Sequence, residues 1–334
     1  MYIITIDSGT TNSRIRLIKN KQNTVIDVIK KPVGVRNTAI DGTMDVLKNG
    51  IAEGLQEIIH RNKLQVKDIQ YIVATGMITS NLGLHEVKHI EGPCELEEFA
   101  KASSVQIFES FFNIPCIFVP GMKNRIEDYP GNLLENIDLY DVMRGEEVET
   151  FGLLHQLGLK GKGMILLPGS HTKFVFVNNR QIESCYSTLC GELLFTVSRN
   201  TILSSSLNKE LVTGIEREYL IEGCKSSKKF GLTRSLYHVR LLHLFDQMND
   251  NQRANYFVGA VIASDIHSIQ KSNRFEHLNW VVIGGANPLR KAFVEIFSHM
   301  ELSDMVIEAS DEQVELSTVI GSIAIGDIVS LNFV

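Results

Sequence analysis

The sequence predicts an α/β protein with two domains, each built on a mixed sheet that starts as an antiparallel hairpin. The chain has 334 residues, of which 44% are hydrophobic, and this length is sufficient for two separate cores. Short alternating runs of Ile and Val precede amphipathic helices in both halves. One pattern also occurs twice. An apolar run is followed by a glycine, hydroxyl residues and a basic residue, with Gly9 as the glycine of the first copy and Gly169 as that of the second. We therefore expect domains at 1–150 and 151–334.

The first half reads as three strands followed by alternating helices and strands. Apolar residues that alternate with polar ones, with Gly or Asn at the breaks, predict the opening strands, and helical spacing of Leu47, Ile51 and Leu55 predicts the first long helix. The predicted elements are strands at 2–7, 13–19 and 24–33, a helix at 44–63, a strand at 69–75, a helix at 96–112, a strand at 115–120, a polar loop at 125–130 and a helix capped by Asp141 that runs to Leu157.

The second half repeats the strand, glycine turn and strand, and then contains several amphipathic helices. A buried strand that ends in Gly284 and Gly285 follows these helices, and such a turn permits close backbone approach to a flat ligand such as adenine. The predicted elements are two strands within 164–185, helices at 190–204, 208–222, 233–248 and 252–271, strands at 280–285 and 305–308, and a final helix from about Glu312.

Composition and charge indicate a protein that acts on small molecules. A formal net charge of −6 provides no long-range attraction for nucleic acid or for an anionic membrane, so we expect neither as a partner. The chain does not open with a basic region and a long apolar run, which predicts a cytoplasmic location. The cysteines lack metal-ligand spacing and are expected to be buried reduced thiols: Cys94, Cys116, Cys185, Cys190 and Cys224.

The first repeated turn has the composition of a phosphate-binding hairpin. Asp7 ends a strand, Gly9 lets the backbone bend, and hydroxyls, amides and a basic side chain follow; the residues concerned are Gly9, Thr10, Thr11, Asn12 and Arg14. The lysine spacing and the following helix of a Walker-type loop are absent from this stretch. Asp7 would not touch phosphate, but it has the chemistry to hold a hydrated Mg²⁺ that bridges phosphates. The alternative is an ordinary hairpin turn rich in Gly, Thr and Asn.

The second copy of the turn strengthens the phosphate interpretation. It supplies a glycine, hydroxyls and basic side chains at corresponding places, namely Gly169, Ser170, His171 and Lys173. Two such hairpins, one in each domain, would hold the phosphates of one nucleotide. For His171, contact with phosphate and bonding to nearby backbone groups remain equal alternatives.

A cluster of charged residues lies between the two turns, in the stretch DVMRGEEVETFG at 141–152. Capping of a helix would explain its carboxylates, because free amides and the helix dipole stabilise negative charge there. A kinase base would also suit this place, and the candidates are Asp141, Glu146 and Glu147. Arg144 has the geometry to bind a substrate carboxylate in bidentate fashion.

With these residues in view, the chain resembles the 2-dehydro-3-deoxygalactonokinase family. The resemblance rests on five stretches in the family's order: DSGTTNSR at 7–14, TGMITS at 75–80, DVMRGEE at 141–147, LPGSHTK at 167–173 and CGELLF at 190–195. DVMRGEE together with LPGSHTK is specific to the family, whereas DSGTTNSR alone indicates the wider superfamily of sugar kinases, actin and heat-shock chaperone ATPases. The sequence departs from the family at GMITSNLGL, where Thr79, Asn81 and Leu84 replace the usual residues.

The resemblance implies ATP-dependent phosphorylation of the C6 hydroxyl of 2-dehydro-3-deoxy-D-galactonate, on a two-domain actin-like fold of the ribonuclease H-like class. ATP and Mg²⁺ are the implied cofactors, and the two hairpins, with Gly284 and Gly285, are the implied nucleotide site. Arg144 would bind the acid's carboxylate, and Met77 and Ser80 would line the sugar side. By analogy with exopolyphosphatase-type relatives, Glu146 or Glu147 is a better catalytic candidate than Asp141.

Three alternatives to this activity follow from the same residues. One is a related sugar-acid kinase of different specificity, because GMITSNLGL departs from the family pattern. Another is a phosphohydrolase of the exopolyphosphatase kind, although the Gly-Gly turn and Arg144 favour the kinase. A nucleotide-binding regulatory protein is disfavoured because Asp7 and the acidic cluster are both present. A homodimer surface would lie among the helices of the second half.

Overall fold

A computed structural model shows the chain as two compact units and describes residues 1–20, 23–126, 131–272, 275 and 278–333. The first unit comprises Met1–Leu159, Arg180–Ser184 and Glu315–Val334, and the second comprises Lys160–Asn179 and Cys185–Val314. Most of the loop predicted at 125–130 lies outside the described residues.

The strands form two main sheets and one small sheet. They are β1 (Tyr2–Ser8), β2 (Ser13–Lys19), β3 (Thr24–Lys31), β4 (Ile69–Gly76), β5 (Ile90–Glu91), β6 (Ser104–Ile107), β7 (Pro115–Phe118), β8 (Met122–Lys123), β9 (Val142–Met143), β10 (Lys162–Leu167), β11 (Thr172–Asn178), β12 (Gln181–Thr188), β13 (Trp280–Ile283) and β14 (Val306–Glu308). The first main sheet has the order β3-β2-β1-β4-β7-β6, the second has β12-β11-β10-β13-β14, and the small sheet has β5-β8-β9.

The two main sheets share one topology. In each, a hairpin strand pairs antiparallel with its successor and parallel with a strand from much later in the chain: β1 with β2 and β4, and β10 with β11 and β13. A parallel partner requires a crossover, which the helices supply. The predicted α/β class and the repeated hairpin are therefore confirmed.

The helices cover the sheets and supply the cores. They are α1 (Val35–Asp41), α2 (Asp45–Arg61), α3 (Leu96–Ala102), α4 (Leu133–Asn136), α5 (Glu146–Leu157), α6 (Cys190–Asn200), α7 (Arg217–Phe230), α8 (Leu232–Phe245), α9 (Asp250–Gln270), α10 (Leu289–Met300) and α11 (Asp311–Ser330). The apolar stripe of α2 packs on the face of β2 and β3 and shares one core with Ile15 and Leu17 of β2, as its spacing predicts. In the second unit, Phe257 and Val261 of α9 belong to the same core as Leu166 of β10.

Two predicted helices begin later than expected. The helix capped by Asp141 in our prediction begins instead at Glu146, because Gly145 adopts φ +114° and sets the start of the helix. The helix predicted at 208–222 begins at Arg217. Residues 207–216 form bends instead of a helix, and the side chains of Asn251 and Asn255 accept hydrogen bonds from the amides of Thr213 and Glu216 there.

The helix predicted at 96–112 is also shorter than expected. It ends at Ala102, where Ser103 turns extended, and Ser104–Ile107 instead forms the edge strand β6. Val105 and Ile107 are β-branched and pair with β7, so pairing in the sheet outweighs the local helical pattern.

The last helix, α11, returns to the first unit and packs on α5 and β4. A Cβ atom at Gly152 of α5 would overlap the backbone of Ser317, and one at Gly326 would lie 2.6 Å from the ring of Tyr71. The first unit includes all of α5 and the part of α11 from Glu315 onward, while residues 311–314 belong to the second unit. The domains at 1–150 and 151–334 stay a prediction. Of the described helices, α11 is long and apolar enough to cross a membrane, with a mean hydropathy of 1.2. Its packing against α5 and β4 accounts for that composition.

Candidate functional site

The first phosphate-type turn is a tight connection between β1 and β2. The amide of Gly9 donates to the carbonyl of Asn12 at 2.9 Å, and the Ser13 hydroxyl donates to Ser8 Oγ at 2.8 Å, which closes the base of the hairpin. Thr10 and Thr11 lie at the exposed tip. The turn therefore presents hydroxyl groups to solvent on a fixed base.

The carbonyl groups of this turn are held by the start of α1. The amides of Val35 and Arg36 donate to the carbonyls of Gly9 and Thr10 at 3.3 and 2.9 Å. Gly34 makes this contact possible, because a Cβ there would lie 2.6 Å from the Gly9 carbonyl oxygen. Because these two carbonyl oxygens already accept hydrogen bonds, the donors at the tip of the turn are suited to an anion.

Asp7 lies at the end of β1, next to this turn and opposite Arg14 on β2. Its side chain is partly buried, and burial raises the pKa of the carboxyl, an effect that Arg16 and then Arg14 oppose. Gly76, the last residue of β4, packs directly against it. A Cβ at Gly76 would lie 2.6 Å from the Ser8 carbonyl oxygen and 3.5 Å from Asp7 Oδ1, and Gly76 has φ +81°.

The start of α5 completes this arrangement in the first unit. A Cβ at Gly145 would lie 3.1 Å from the Cα of Gly76, so the helix begins against the same glycine that contacts Asp7. The structure thus brings the first hairpin and the start of the acidic cluster together around Gly76.

The three predicted carboxylates have different environments. Glu147 is fully buried, and its two oxygens accept the amides of Met122 and Gly145 at 2.7 and 2.6 Å. Burial raises the pKa of Glu147 to about 7. Glu146 is partly exposed and accepts the amide of Arg144 at 3.1 Å. Asp141 lies before β9, where it accepts the amide of Val142 at 2.7 Å.

A fourth carboxylate, Glu149, belongs to the same region and was missed by the sequence analysis. It lies in the first turn of α5, and burial raises its pKa to about 8, with Glu146 and Asp7 adding to the effect and Arg16 opposing it. Its position one helical turn after Glu146 was the available signal.

The predicted sugar-side residues lie beside Arg144. The Arg144 guanidinium donates to the Thr79 carbonyl at 2.8 Å, to the Thr79 hydroxyl at 2.7 Å and to the Val87 carbonyl at 3.0 Å. The Ser80 hydroxyl donates to the Met77 carbonyl at 2.7 Å. Arg144 therefore ties the start of α5 to the segment that follows β4.

The second turn lies between β10 and β11 and rests against the start of α6. Gly169, Ser170 and His171 are exposed, and the amide of Glu192 donates to the Ser170 carbonyl at 3.0 Å. His171 Nε2 lies 3.3 Å from Glu192 Oε1, so its observed partner is a side chain of α6.

Lys173 and the Gly-Gly turn contact different parts of the second sheet. Lys173 is buried on β11 and donates to Ser187 Oγ at 2.7 Å. Gly285 has φ +70°, and a Cβ there would lie 2.7 Å from the Pro168 carbonyl oxygen. The amide of Gly284 donates to the Leu166 carbonyl at 2.8 Å. The structure therefore brings the Gly-Gly turn against the second hairpin.

Comparison with known families assigns the chain. The model of the 2-keto-3-deoxy-galactonokinase family matches residues 7–317, which include every predicted site residue. The chain belongs to this family. The resemblance inferred from DVMRGEE and LPGSHTK is therefore confirmed.

Two named relatives are similar over part of their length. A Rhizobium meliloti (strain 1021) protein named as a 2-dehydro-3-deoxygalactonokinase is 27% identical over 207 residues, which is 62% of this chain and 59% of the relative. The 2-dehydro-3-deoxygalactonokinase of Escherichia coli (strain K12) is 20% identical over 219 residues, 64% of this chain and 66% of the relative. The chain matches less than two thirds of the length of either relative.

Two solved structures share the fold of this chain. A crystal structure from Sinorhizobium meliloti, named for the same kinase, has a TM-score of 0.73 at 19% identity. The superposition covers 97% of this chain and 96% of that one. The activator of 2-hydroxyisocaproyl-CoA dehydratase from Clostridium difficile has a TM-score of 0.52 at 12% identity, covering 100% and 97%. The predicted two-domain actin-like fold is confirmed.

A partly buried carboxylate, Asp265, holds the start of the helix on which the second hairpin rests. Asp265 of α9 accepts the Thr188 hydroxyl at 2.6 Å and also the thiol of Cys190, the first residue of α6. Burial raises the pKa of Asp265 to about 6.

We predict that Asp265→Asn removes a pH-dependent loss of stability. In the wild-type protein the folded pKa is about 6 and the unfolded reference is 3.8. The folded form therefore retains a proton that the unfolded form has lost, and the free energy of unfolding falls as pH rises from about 4 to about 6. The difference between wild type and variant should change by about 2–3 kcal/mol across this range.

Denaturant unfolding at pH 4, 5, 6 and 7 measures this difference. Asp304→Asn, at an exposed aspartate, is the matched control and should follow the wild-type curve. Parallel pH profiles for wild type and Asp265→Asn would contradict the assignment.

Proposed function

We propose that this protein is an ATP-dependent kinase that phosphorylates the C6 hydroxyl of 2-dehydro-3-deoxy-D-galactonate. Its membership of the 2-keto-3-deoxy-galactonokinase family supports this activity. The structural observation that carries the proposal is the contact of Gly76 with both Asp7 and Gly145. This contact gathers a phosphate-type hairpin, a carboxylate and the acidic start of a helix in the first unit, which are the parts that phosphoryl transfer requires.

The two hairpins supply the nucleotide-binding groups in this proposal. Hydroxyls of Thr10 and Thr11, with the exposed Arg14, bind phosphate oxygens in the first unit. Gly169, Ser170 and His171 do so in the second unit, and Gly284 and Gly285 approach the adenosine. Lys173 donates to Ser187 on the neighbouring strand. Its proposed role in phosphate binding is therefore indirect: it holds β11 and β12 together below the turn.

The residues around Asp7 fit a hydrated Mg²⁺. Magnesium in nucleotide sites takes one or two carboxylates and otherwise water and phosphate oxygens. Asp7 offers one carboxylate near the end of β1 beside the hairpin, so the other ligands of the ion would be water and nucleotide oxygens. When bound, the ion would neutralise charge on the phosphates.

Glu146 is our candidate for the catalytic base. Both oxygens of Glu147 accept backbone amides, which commits that side chain to holding α5 against β8. Asp141 lies outside the helix that approaches Gly76. In the proposed step, the C6 hydroxyl oxygen attacks the γ-phosphorus, the bond to the β,γ-bridging oxygen breaks, ADP leaves, and the hydroxyl proton passes to Glu146.

Hydrolysis is not favoured, because the family is one of kinases. Within the kinase proposal, the substrate is 2-dehydro-3-deoxy-D-galactonate. The departures from the family pattern at Thr79, Asn81 and Leu84 suggest one alternative substrate, a sugar acid of different stereochemistry. The cytoplasmic location and the homodimer stay predictions.

We predict ADP release that depends on the sugar acid. Wild-type protein with Mg²⁺-ATP should turn over 2-dehydro-3-deoxy-D-galactonate and remain silent with neutral hexoses. Glu146→Gln should lower kcat by about 10²–10⁴-fold, the usual contribution of a general base. A coupled assay for ADP with a panel of 2-dehydro-3-deoxy acids measures both effects.

Glu147→Gln is the matched variant for the base assignment. It should lower the melting temperature, because a buried amide replaces a carboxylate between two backbone donors, while losing less activity than Glu146→Gln. ADP release without any acceptor would support hydrolysis instead, and a larger kcat loss in Glu147→Gln would transfer the role to Glu147.

We predict that Arg144 serves the sugar acid in two separable ways. Its bonds to Thr79, Val87 and His89 fix the sugar-side segment, and its positive charge would attract the acid's carboxylate. Arg144→Ala should raise the KM for the acid by about tenfold or more, the scale of a lost charge-assisted hydrogen bond. Arg144→Lys keeps the charge but not the planar fork, so its KM shows which function dominates. Unchanged KM in both variants would remove Arg144 from the site.

A further inference from the structure

Arg290 is a buried arginine in the first turn of α10, just after the Gly-Gly turn of the second unit. The residue is 3% exposed, and a short connection at 286–288 separates the turn from the helix. A buried arginine costs stability unless its charge is compensated and its donors are bonded. The partners of Arg290 therefore show what this side chain holds in place.

The guanidinium of Arg290 joins three segments of the second unit. Its Nη1 donates to the Gly285 carbonyl at 3.0 Å, its Nε donates to Glu308 Oε1 at 3.2 Å, and its Nη2 donates to Asp311 Oδ1. Glu308 is the last residue of β14, and Asp311 is the first residue of α11. A planar guanidinium presents its donors in a fixed fork, so these bonds set the position of the turn relative to β14 and the start of α11.

The register of the second sheet explains why the two carboxylates lie beside this turn. β14 pairs parallel with β13, and Glu308 lies opposite Ile283, the residue that precedes the two glycines. The amide of Ala309 donates to the Ile283 carbonyl at 3.0 Å and fixes this end of β14. Glu308 and Asp311 therefore meet the buried cation at the edge of the sheet where the turn begins.

The bond from Arg290 also sets the direction of one peptide group in the turn. The carbonyl and the N–H of a trans peptide point in opposite directions, so a Gly285 carbonyl that faces Arg290 leaves the N–H of Ala286 facing away from it. Arg290 is buried, whereas Ala286 is exposed. The turn therefore offers a backbone donor on its exposed side, and such a donor suits an acceptor atom of a nucleotide.

We propose that Arg290 is a positioning residue for the nucleoside part of the nucleotide, which it serves by fixing the peptide between Gly285 and Ala286. The proposal rests on the kinase function proposed above, in which the Gly-Gly turn approaches the adenosine and the two hairpins bind the phosphates. Arg290 bonds to the turn and to carboxylates. Its loss should therefore weaken the binding of a ligand that carries a nucleoside and spare the binding of pyrophosphate.

Titration calorimetry of the full chain with Mg²⁺-ADP and with Mg²⁺-pyrophosphate tests this role. Arg290→Met should weaken ADP binding by about tenfold or more, the scale of one charge-assisted hydrogen bond, while pyrophosphate affinity stays within about threefold of wild type. In Arg290→Lys the ammonium group should stay with the two carboxylates, because hydrogen bonds between charged groups are stronger than one to a neutral carbonyl. The Gly285 carbonyl then loses its partner again, so ADP binding should weaken in this variant as well.

Arg253→Met is the matched control for the loss of a buried arginine. Arg253 is 5% exposed in the second unit, donates to the Ser206 carbonyl at 2.9 Å and pairs with Asp250. Its replacement should lower the melting temperature and leave the affinities for both ligands unchanged. If Arg290→Met does not fold, Arg290→Lys, which retains the positive charge, decides the proposal.

Wild-type ADP affinity in either Arg290 variant, or equal losses of ADP and pyrophosphate affinity, would overturn the proposal. Failure of the proposed function gives a different result. A wild-type protein that binds ADP but consumes no ATP with any sugar acid would count against the kinase, while the ADP affinities of the variants would still decide the role of Arg290. A wild-type protein that binds neither ADP nor pyrophosphate would contradict both proposals.

Discussion

The close packing of Gly76 between Asp7 and Gly145 is the constraint on which the first unit depends. A side chain at Gly76 would collide with the Ser8 carbonyl, and a side chain at Gly145 would press on Gly76. Both positions also have positive φ angles, +81° and +114°, which glycine adopts without strain. Because neither residue carries a side chain, the end of β1, the end of β4 and the start of α5 converge within van der Waals distance. The charged groups of the site follow from this convergence.

The second unit uses the same device at the corresponding place in its sheet. Gly285 follows β13, the parallel partner of β10, just as Gly76 ends β4, the parallel partner of β1. A Cβ at Gly76 would lie 2.6 Å from the Ser8 carbonyl oxygen, and one at Gly285 would lie 2.7 Å from that of Pro168. The duplication therefore extends from the hairpins to the glycine that closes each hairpin against a parallel strand. In the second unit, Arg290 also donates to the Gly285 carbonyl at 3.0 Å and fixes this turn.

The hairpins were predictable from sequence, whereas the surroundings of their side chains were not. Turn residues such as Gly9 and Gly169 act locally, so composition is sufficient to place them. The charged residues that interact with Asp7 come from β2 and α5, and no local pattern shows that Arg16 and Glu149 would be among them. Lys173 was assigned to phosphate by its place after the turn, but the strand directs its amine to Ser187. The start of α5 was misplaced because Asp141 has the chemistry of a helix cap, while the backbone at Gly145 decides where the helix begins.

The most direct test of this account is the rate of phosphoryl transfer in Gly145→Ala, measured in a single turnover. The added methyl group would lie 3.1 Å from Gly76, and alanine is strained at the φ of +114°, so the start of α5 should move relative to Asp7. The rate should fall by up to about a hundredfold, the scale for a 1 Å misplacement of catalytic groups. Gly42→Ala is the control, because Gly42 also has a positive φ, +70°, but a Cβ there has no neighbour within 4 Å. A wild-type transfer rate in Gly145→Ala would contradict the claim that this contact assembles the catalytic site.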